Sequence, residues 1–520
     1  MNFSPVLLEV FKNKFSSIAE EMGVTLIRTS FSPNIKERKD CSCAIFDNMG
    51  NMVEQAAHIP VHLGSMPLSV KAAIEAGNMD EGDMVILNDP YRGGTHLPDI
   101  TLVAPVYFES SEPVFYVANR AHHSDVGGMS PGSMPLSTSI FQEGIIIPPL
   151  KLVERGEIDR KLMEFFLNNV RIREEREGDF EAQIMANITG IKRLGELLNK
   201  YGKDIVLFYA SELLNYSERI TRSVIEEIPD GTYSFEDYLD NDGISDDPIR
   251  ISVQITVEGD QLIMDFSGSD PQVTGSVNAV YSITLSCVLY VIRSLIDADI
   301  ATNAGCLRPI ELITEKGSIV DAQYPAPVAA GNVETSQRIV DVLLGAFSKA
   351  IPDKIPAASQ GTMNNITIGG VDSRTGRHFS YYETIGGGMG ASKGRKGADA
   401  VHSHMTNTMN TPVEALEYNY PFLVTEYKVR KNSGGQGRYS GGNGIVRRIK
   451  LLDDAQIVVL SERRRFSPYS LEGGGPGKKG KNIVISGGKE RVMPGKFSCA
   501  LKKGDEIVIK TPGGGGWGTP

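Results

Sequence analysis

Cysteine is scarce: Cys41, Cys43, Cys287, Cys306 and Cys499 are the only five in 520 residues, with no C-x-x-C and no paired spacing. This excludes a disulfide framework and a cysteine-based zinc knuckle, and fits a reducing cytoplasm. Long apolar runs are missing as well. No uninterrupted stretch reaches the ~18 residues of a bilayer span, and the first residues lack the basic, apolar and small-residue order of a secretory leader. A cytoplasmic protein without membrane contact is expected. Basic excess is absent too: the net charge of −11 is scattered rather than gathered in a tail, which favours solubility and disfavours a nucleic-acid partner. No phosphate loop G-x-x-x-x-G-K-[ST] occurs; Gly477-Lys478 is followed by Lys479. The run Gly386 to Gly394 therefore reads as a flexible loop close to a ligand, and nothing repeats at a fixed period.

What is present is a long globular chain. A length of 520 residues suggests two to four domains at roughly 150 residues each. The pattern predicts an α+β fold: multidomain mixed sheets with helices and a glycine-rich C-terminal β unit. The expected boundaries are 1–229 for an N-terminal domain, 230–430 for a middle domain and 431–520 for the β unit. Val6, Leu7, Val10, Phe11, Ile18 and Met22 recur at helical spacing after Ser4-Pro5, with Gly23 as the stop and a strand over Val24–Arg28. Charged residues end abruptly at Asp40, where a strand begins, and Asp47–Asn51 reads as a hairpin turn. Two amphipathic stretches, Phe180–Tyr201 and Ile205–Ile228, predict a helical hairpin, and Pro229-Asp230-Gly231 breaks the pattern. The tail Gly513–Gly518, with the only tryptophan, is either a docked plug or a mobile end.

The chemistry concentrates in Asn88-Asp89-Pro90-Tyr91-Arg92-Gly93-Gly94-Thr95-His96-Leu97-Pro98-Asp99. The segment follows the apolar run Met84–Leu87 and is full of turn signals, so it is a loop at a strand end. A second polar segment, Ala121-His122-His123-Ser124-Asp125, ends a later strand. Imidazole and carboxylate are the donors a divalent transition metal prefers, and His96 and Asp99, three apart across a proline-stiffened turn, can reach one ion. A third donor comes from His122 or His123, and only one of that pair faces the site, because neighbouring strand residues point to opposite faces. His58 and His62 flank Pro60, which argues against a helical i,i+4 metal pair, so they read as polar residues near the site. Gln142-Glu143-Gly144 offers a further carboxylate to a cleft. His402, His404, Asn407, Asn410 and Glu414 form a second polar cluster, not a metal site.

Ordered matches along nearly the whole chain carry a resemblance. They include Glu37–Ser42, His58–Met66, Asn88–Tyr91 with Gly94–Asp99, Ala121–His123 with Asp125–Gly128, Gly178–Phe180, Gly331–Arg338 and Thr511–Gly518. The chain resembles the hydantoinase B family, which includes the B subunit of N-methylhydantoinase, the matching half of 5-oxoprolinase and the related subunits of ketone carboxylases. The resemblance implies an ATP-dependent cyclic amide hydrolase of hetero-oligomeric build. A hydantoinase A partner with an actin-like ATPase fold uses ATP to phosphorylate a lactam or imide, and the B subunit opens the activated ring. The family's ligands fall on Asp40, His96, Asp99 and one of His122 or His123, for zinc, manganese or iron. In that frame Glu54 or Glu143 is the candidate proton-transfer group and Arg92 the candidate anion anchor. Two alternatives share the motifs: a subunit of an ATP-dependent ketone carboxylase, and a noncatalytic scaffold for the A subunit.

Overall fold

The computed structural model describes residues 3–56, 59–77 and 79–520. The architecture is α+β, with four sheets among the described residues and helices layered on them. The opening helix Pro5–Thr29 starts as expected, with the Ser4 side chain accepting from the Leu7 amide and Pro5 in the first turn. It does not stop at Gly23. The stretch Val24–Arg28, expected as a strand, is its final part. The reason is packing: Phe11, Phe15, Met22 and Leu26 are all fully buried, and Met22 fits against Gly190 of the helix Arg173–Tyr201, where an added Cβ would meet its sulfur at 2.5 Å. An interior glycine costs about 1 kcal/mol, less than the ~1.5–3 kcal/mol returned by each large apolar side chain buried.

The first sheet positions the site. Its seven strands are antiparallel, in the order Met52–Gln55, Cys41–Asp47, Phe115–His122, Asp99–Val106, Met84–Leu87, Leu150–Glu154, Glu157–Ile158. Both faces are covered, as Asn119 and Arg120 show from adjacent positions. Asn119 donates to Asn187 of the helix Arg173–Tyr201 at 2.8 Å, whereas Arg120 donates to Ser65 and Ser69 of the helix Ser65–Glu75 at 2.5 and 2.7 Å. The register pairs Asp99 with His122 and Cys41 with Ala121, so three neighbouring strands end in one polar row on the Arg120 face.

A second sheet runs in the order Ile310–Ile313, Gln261–Asp265, Ile249–Glu258, Gly231–Leu239. The helix Ser336–Ala350 lies on it and packs against Tyr281–Leu295, which in turn meets Ser65–Glu75. The expected boundary at 229/230 therefore separates two sheets but not two cores: one continuous apolar cluster includes Leu8, Phe180, Ile283 and Phe347. The boundary at 430/431 is corrected. Asn365–Asp372 pairs with Ala455–Leu460, and Phe422–Arg430 pairs with Gly444–Leu451, so the β unit begins near residue 365. The rise in glycine marks close backbone packing inside that unit and not its edge.

The glycine-rich tail is docked. Gly388 N–H donates to Pro512 O at 3.0 Å and Ala391 N–H to Gly515 O at 2.9 Å. An added Cβ at Gly514 would lie 2.1 Å from Met389 O, so backbones meet where only glycine fits. The run from Gly386 is thereby pinned as far as Ala391, with all but Met389 buried, not flexible as expected. Arg463 ties the units together, donating to Asp237 at 2.7 Å and Asp341 at 2.6 Å. Among the described residues no helix is long and apolar enough to cross a membrane.

Candidate metal centre

Asp99 stands at the start of its strand with its carboxylate fully buried and surrounded by donors. Thr95 Oγ1 donates to its Oδ2 at 2.6 Å, and Oδ1 lies 3.1 Å from His96 Nε2 and 3.1 Å from His122 Nδ1. The two imidazole nitrogens are themselves 3.3 Å apart. These three ligand atoms thus form a near-equilateral triangle. Two donors bound ~2.0–2.1 Å from one ion are themselves ~3.0–3.4 Å apart, so the triangle has the dimensions of a shared-ion face. Burial alone would push Asp99 up, but His96 and the other imidazoles around it hold it well below the ordinary carboxylate range.

Backbone contacts orient the imidazoles. His96 Nδ1 lies 3.1 Å from Ala329 O and, because a carbonyl only accepts, donates to it, which leaves Nε2 as the ring nitrogen turned into the triangle. Asn332 Nδ2 lies 3.0 Å from that Nε2 and donates to Asp99 Oδ2 at 3.4 Å. His122 turns Nδ1 to Asp99, and its Nε2 is buried without a hydrogen-bond partner. The donor set fits a divalent ion.

Residues 4–520 match the family described as hydantoinase B/oxoprolinase. The chain belongs to the hydantoinase B/oxoprolinase family. An uncharacterized protein of Methanocaldococcus jannaschii is 42% identical over 521 residues, covering 99% of this chain and 91% of the relative. A 5-oxoprolinase of Dictyostelium discoideum is 42% identical over 527 residues, covering 99% of this chain but 40% of the relative, so this chain spans about two fifths of that protein's length. Among solved structures, an ATP-dependent caprolactamase from Pseudomonas jessenii superposes with a TM-score of 0.91 at 28% identity, covering 100% of this chain and 92% of that one.

In this hydantoinase B/oxoprolinase chain, His96, Asp99 and His122 come together as a group able to hold an ion. Asp40 borders the same small cavity of about 20 Å³, together with Asp99, His122 and His62, and its carbonyl accepts from the His122 amide at 3.0 Å. His123 does not join them. Strand alternation turns it to the opposite face, where Nε2 meets Gln183 Oε1 at 2.9 Å and the ring packs on Phe180. Burial, and then the charge of Arg176, pull its pKa down to about 4.

The candidate proton-transfer and anchoring residues are also elsewhere. Glu54 pairs with Ile45 in the register and so faces the helix layer carrying Lys12; burial pushes it up to about 8. Glu143 accepts from the amides of Val328 and Ala329 at 2.9 and 3.0 Å, so it fixes the loop whose carbonyl orients His96. Arg92 is 61% exposed and pairs with Asp89 at 3.6 Å, outside the cavity. His58 lies outside the described residues.

Sequence reasoning placed His62 near the site, and it lies in direct contact, with Nε2 3.4 Å from Asp99 Oδ2 and Nδ1 2.9 Å from Ser42 Oγ. Tyr382 was missed. Its ring stacks on His122 at 4.6 Å between centroids, its hydroxyl donates to Asn365 Oδ1 at 2.9 Å, and Arg38 covers its other side at 4.9 Å. Asn332 arrives on a π-helical turn, Gly331–Thr335, that leads into the helix Ser336–Ala350. The motif containing it was legible, but its side chain's destination was not.

Proposed function

We propose that this chain carries the ring-opening centre of an ATP-dependent cyclic amide hydrolase of the hydantoinase/5-oxoprolinase type. The observation that carries the reading is the triangle of His96, Asp99 and His122, with His96 Nε2 turned into it. Likeness to a caprolactamase and to a 5-oxoprolinase supports a small cyclic amide as substrate. A hydantoinase A-type ATPase is the proposed partner: it phosphorylates the amide oxygen, because an unactivated lactam is a poor electrophile and this chain has no phosphate loop.

Zinc, manganese or iron held by His96, Asp99 and His122 would supply a Lewis acid that lowers the pKa of water from about 15.7 towards 7 and polarises the ring carbon. Asp40, which lines the same cavity just before the neighbouring strand, would complete the donor set. Water adds to the ring carbon, and the C–N bond breaks with its electron pair passing to nitrogen, which takes a proton. The acyl phosphate so formed is cleaved by a second water to carboxylate and phosphate. His62, held through Ser42 at the cavity wall, is the residue assigned to carry the proton to the leaving nitrogen. Tyr382 and Asn332 hold the imidazoles in place.

The test is reconstitution with the A-type partner and ATP. Nucleotide turnover with ring-opened product from hydantoin, 5-oxoproline or caprolactam, absent in His122→Ala, is the expected result. Turnover only with a ketone and bicarbonate would replace the hydrolase by a carboxylase. Unchanged partner activity in His122→Ala would leave this chain a scaffold.

A further inference from the structure

A much larger cavity lies beside the metal pocket, and none of the chemistry above uses it. Its volume is about 680 Å³, the size of a small-molecule site. The two spaces share a wall. Thr406 lines both, Met405 and Thr408 face the small cavity, and His404 and Asn407 face the large one. Pro60 borders the large cavity while its neighbours Ile59 and Val61 border the small one. The segment around Thr406 is therefore the partition between an antechamber and the metal pocket.

The antechamber's lining is uneven in a chemically specific way. Leu295, Leu344, Ile355 and Pro356 make an apolar side, whereas Lys354, Arg395 and Lys396 bring three cations; among the described residues no aspartate or glutamate lines it. In a protein of net charge −11 such a surface calls for an anion. Lys354 is paired with Glu227 at 2.9 Å, but Arg395 and Lys396 form no ion pair among the described residues. One buried side chain on its wall has an unused polar atom: Ser403 Oγ has no hydrogen-bond partner, although the residue is only 7% exposed, whereas His404 Nε2 faces Asp341 Oδ1 at 3.8 Å. A polar ligand in the antechamber would satisfy it.

We propose that this antechamber binds the phosphoryl group of the activated substrate, with Arg395 and Lys396 holding the phosphate and the apolar side facing the ring. The proposal rests on the reading that the ring arrives phosphorylated. The chemistry asks for such a place: the phosphate stays on the substrate until after the C–N bond breaks, so the activated ring reaches this chain as a dianion that must be received beside the metal pocket. A cavity of about 20 Å³ has no room for it. Guanidinium and ammonium groups are the natural partners of phosphate oxygens.

The experiment is calorimetric titration of the metal-free full chain with inorganic phosphate and with phenyl phosphate, in wild type, Arg395→Ala/Lys396→Ala, Arg395→Lys/Lys396→Arg and His96→Ala. Both substituted cations are exposed, and thermal unfolding confirms that the variants fold. Wild type and His96→Ala should bind alike, phenyl phosphate more tightly than phosphate. The double alanine variant should bind about tenfold or more weakly, and the charge-retaining swap should recover most of that loss. Absence of phosphate binding in the wild type, or equal binding in the double alanine variant, would overturn the proposal. Metal content is a separate readout. A chain that binds phosphate but no metal keeps the anion site and loses the ring-opening reading, and the reverse result removes the anion site alone.

Discussion

Two adjacent histidines should respond oppositely to the same substitution. His122 contributes Nδ1 to the ligand triangle, whereas His123, one residue on, is a packed core residue on the other face of the sheet. Loss of a residue that merely orients a ligand lowers metal affinity about 10–100-fold, so removing a ligand atom itself should exceed ~100-fold. His123→Ala instead deletes the 2.9 Å bond to Gln183 and the contact with Phe180, leaving a cavity and an unpaired amide oxygen. That costs about 2–4 kcal/mol of stability. The assay is competition with a chromophoric chelator beside thermal unfolding with and without saturating zinc. Metal should raise the Tm of wild type and His123→Ala, because an ion that binds only the folded chain stabilises it, and should leave His122→Ala unmoved. Folded His123→Ala that fails to bind metal, or His122→Ala that binds as wild type does, would refute the assignment.

Glu54→Gln tests a buried carboxyl outside the site. Burial raises Glu54 to about 8 in the fold, with Lys12 and Arg293 only partly offsetting it and Glu20 adding to it. A raised carboxyl keeps its proton longer in the native state, so its contribution to stability is fully present below the unfolded value near 4.5 and is lost as pH rises through about 8. The variant should match wild type near pH 4.5 and exceed it above pH 8 by a few kcal/mol; equal denaturation midpoints at pH 9 would contradict this. Tyr382→Ala should weaken metal binding about 10–100-fold, whereas Tyr382→Phe, which loses only the hydroxyl bond to Asn365, should keep it and cost about 1 kcal/mol of stability. Gly514→Ala places a Cβ 2.1 Å from Met389 O and should cost at least about 2 kcal/mol in unfolding experiments; wild-type stability would show that the tail is not the plug described above.

The juxtaposition of His96 with Asp99 was legible because the signal was chemical and local. His96 and Asp99 sit three apart in a loop, and two donors at that spacing need no knowledge of the fold to be seen as partners. The choice between His122 and His123 needed the register, Asp99 against His122, which no single segment specifies. Glu54 failed for the same reason: only its pairing with Ile45 reveals which face it takes. Helix continuation through Gly23 was hidden because it depends on Gly190, far along the chain, opening room for Met22. Tyr382 gave no signal at all. A tyrosine in an apolar strand reads as core, and its role comes from a tertiary stack on His122. The boundary at 430/431 followed glycine content, whereas sheet pairing runs across it.

The most direct test of the central claim is the metal content of the purified chain after dialysis, with His96→Ala and Asp99→Ala measured beside it. Near-stoichiometric zinc, manganese or iron in the wild type, absent from both variants, is the predicted result. A wild-type chain that stays metal-free after purification in metal-replete medium would contradict the metal centre, and with it the proposed route to ring opening.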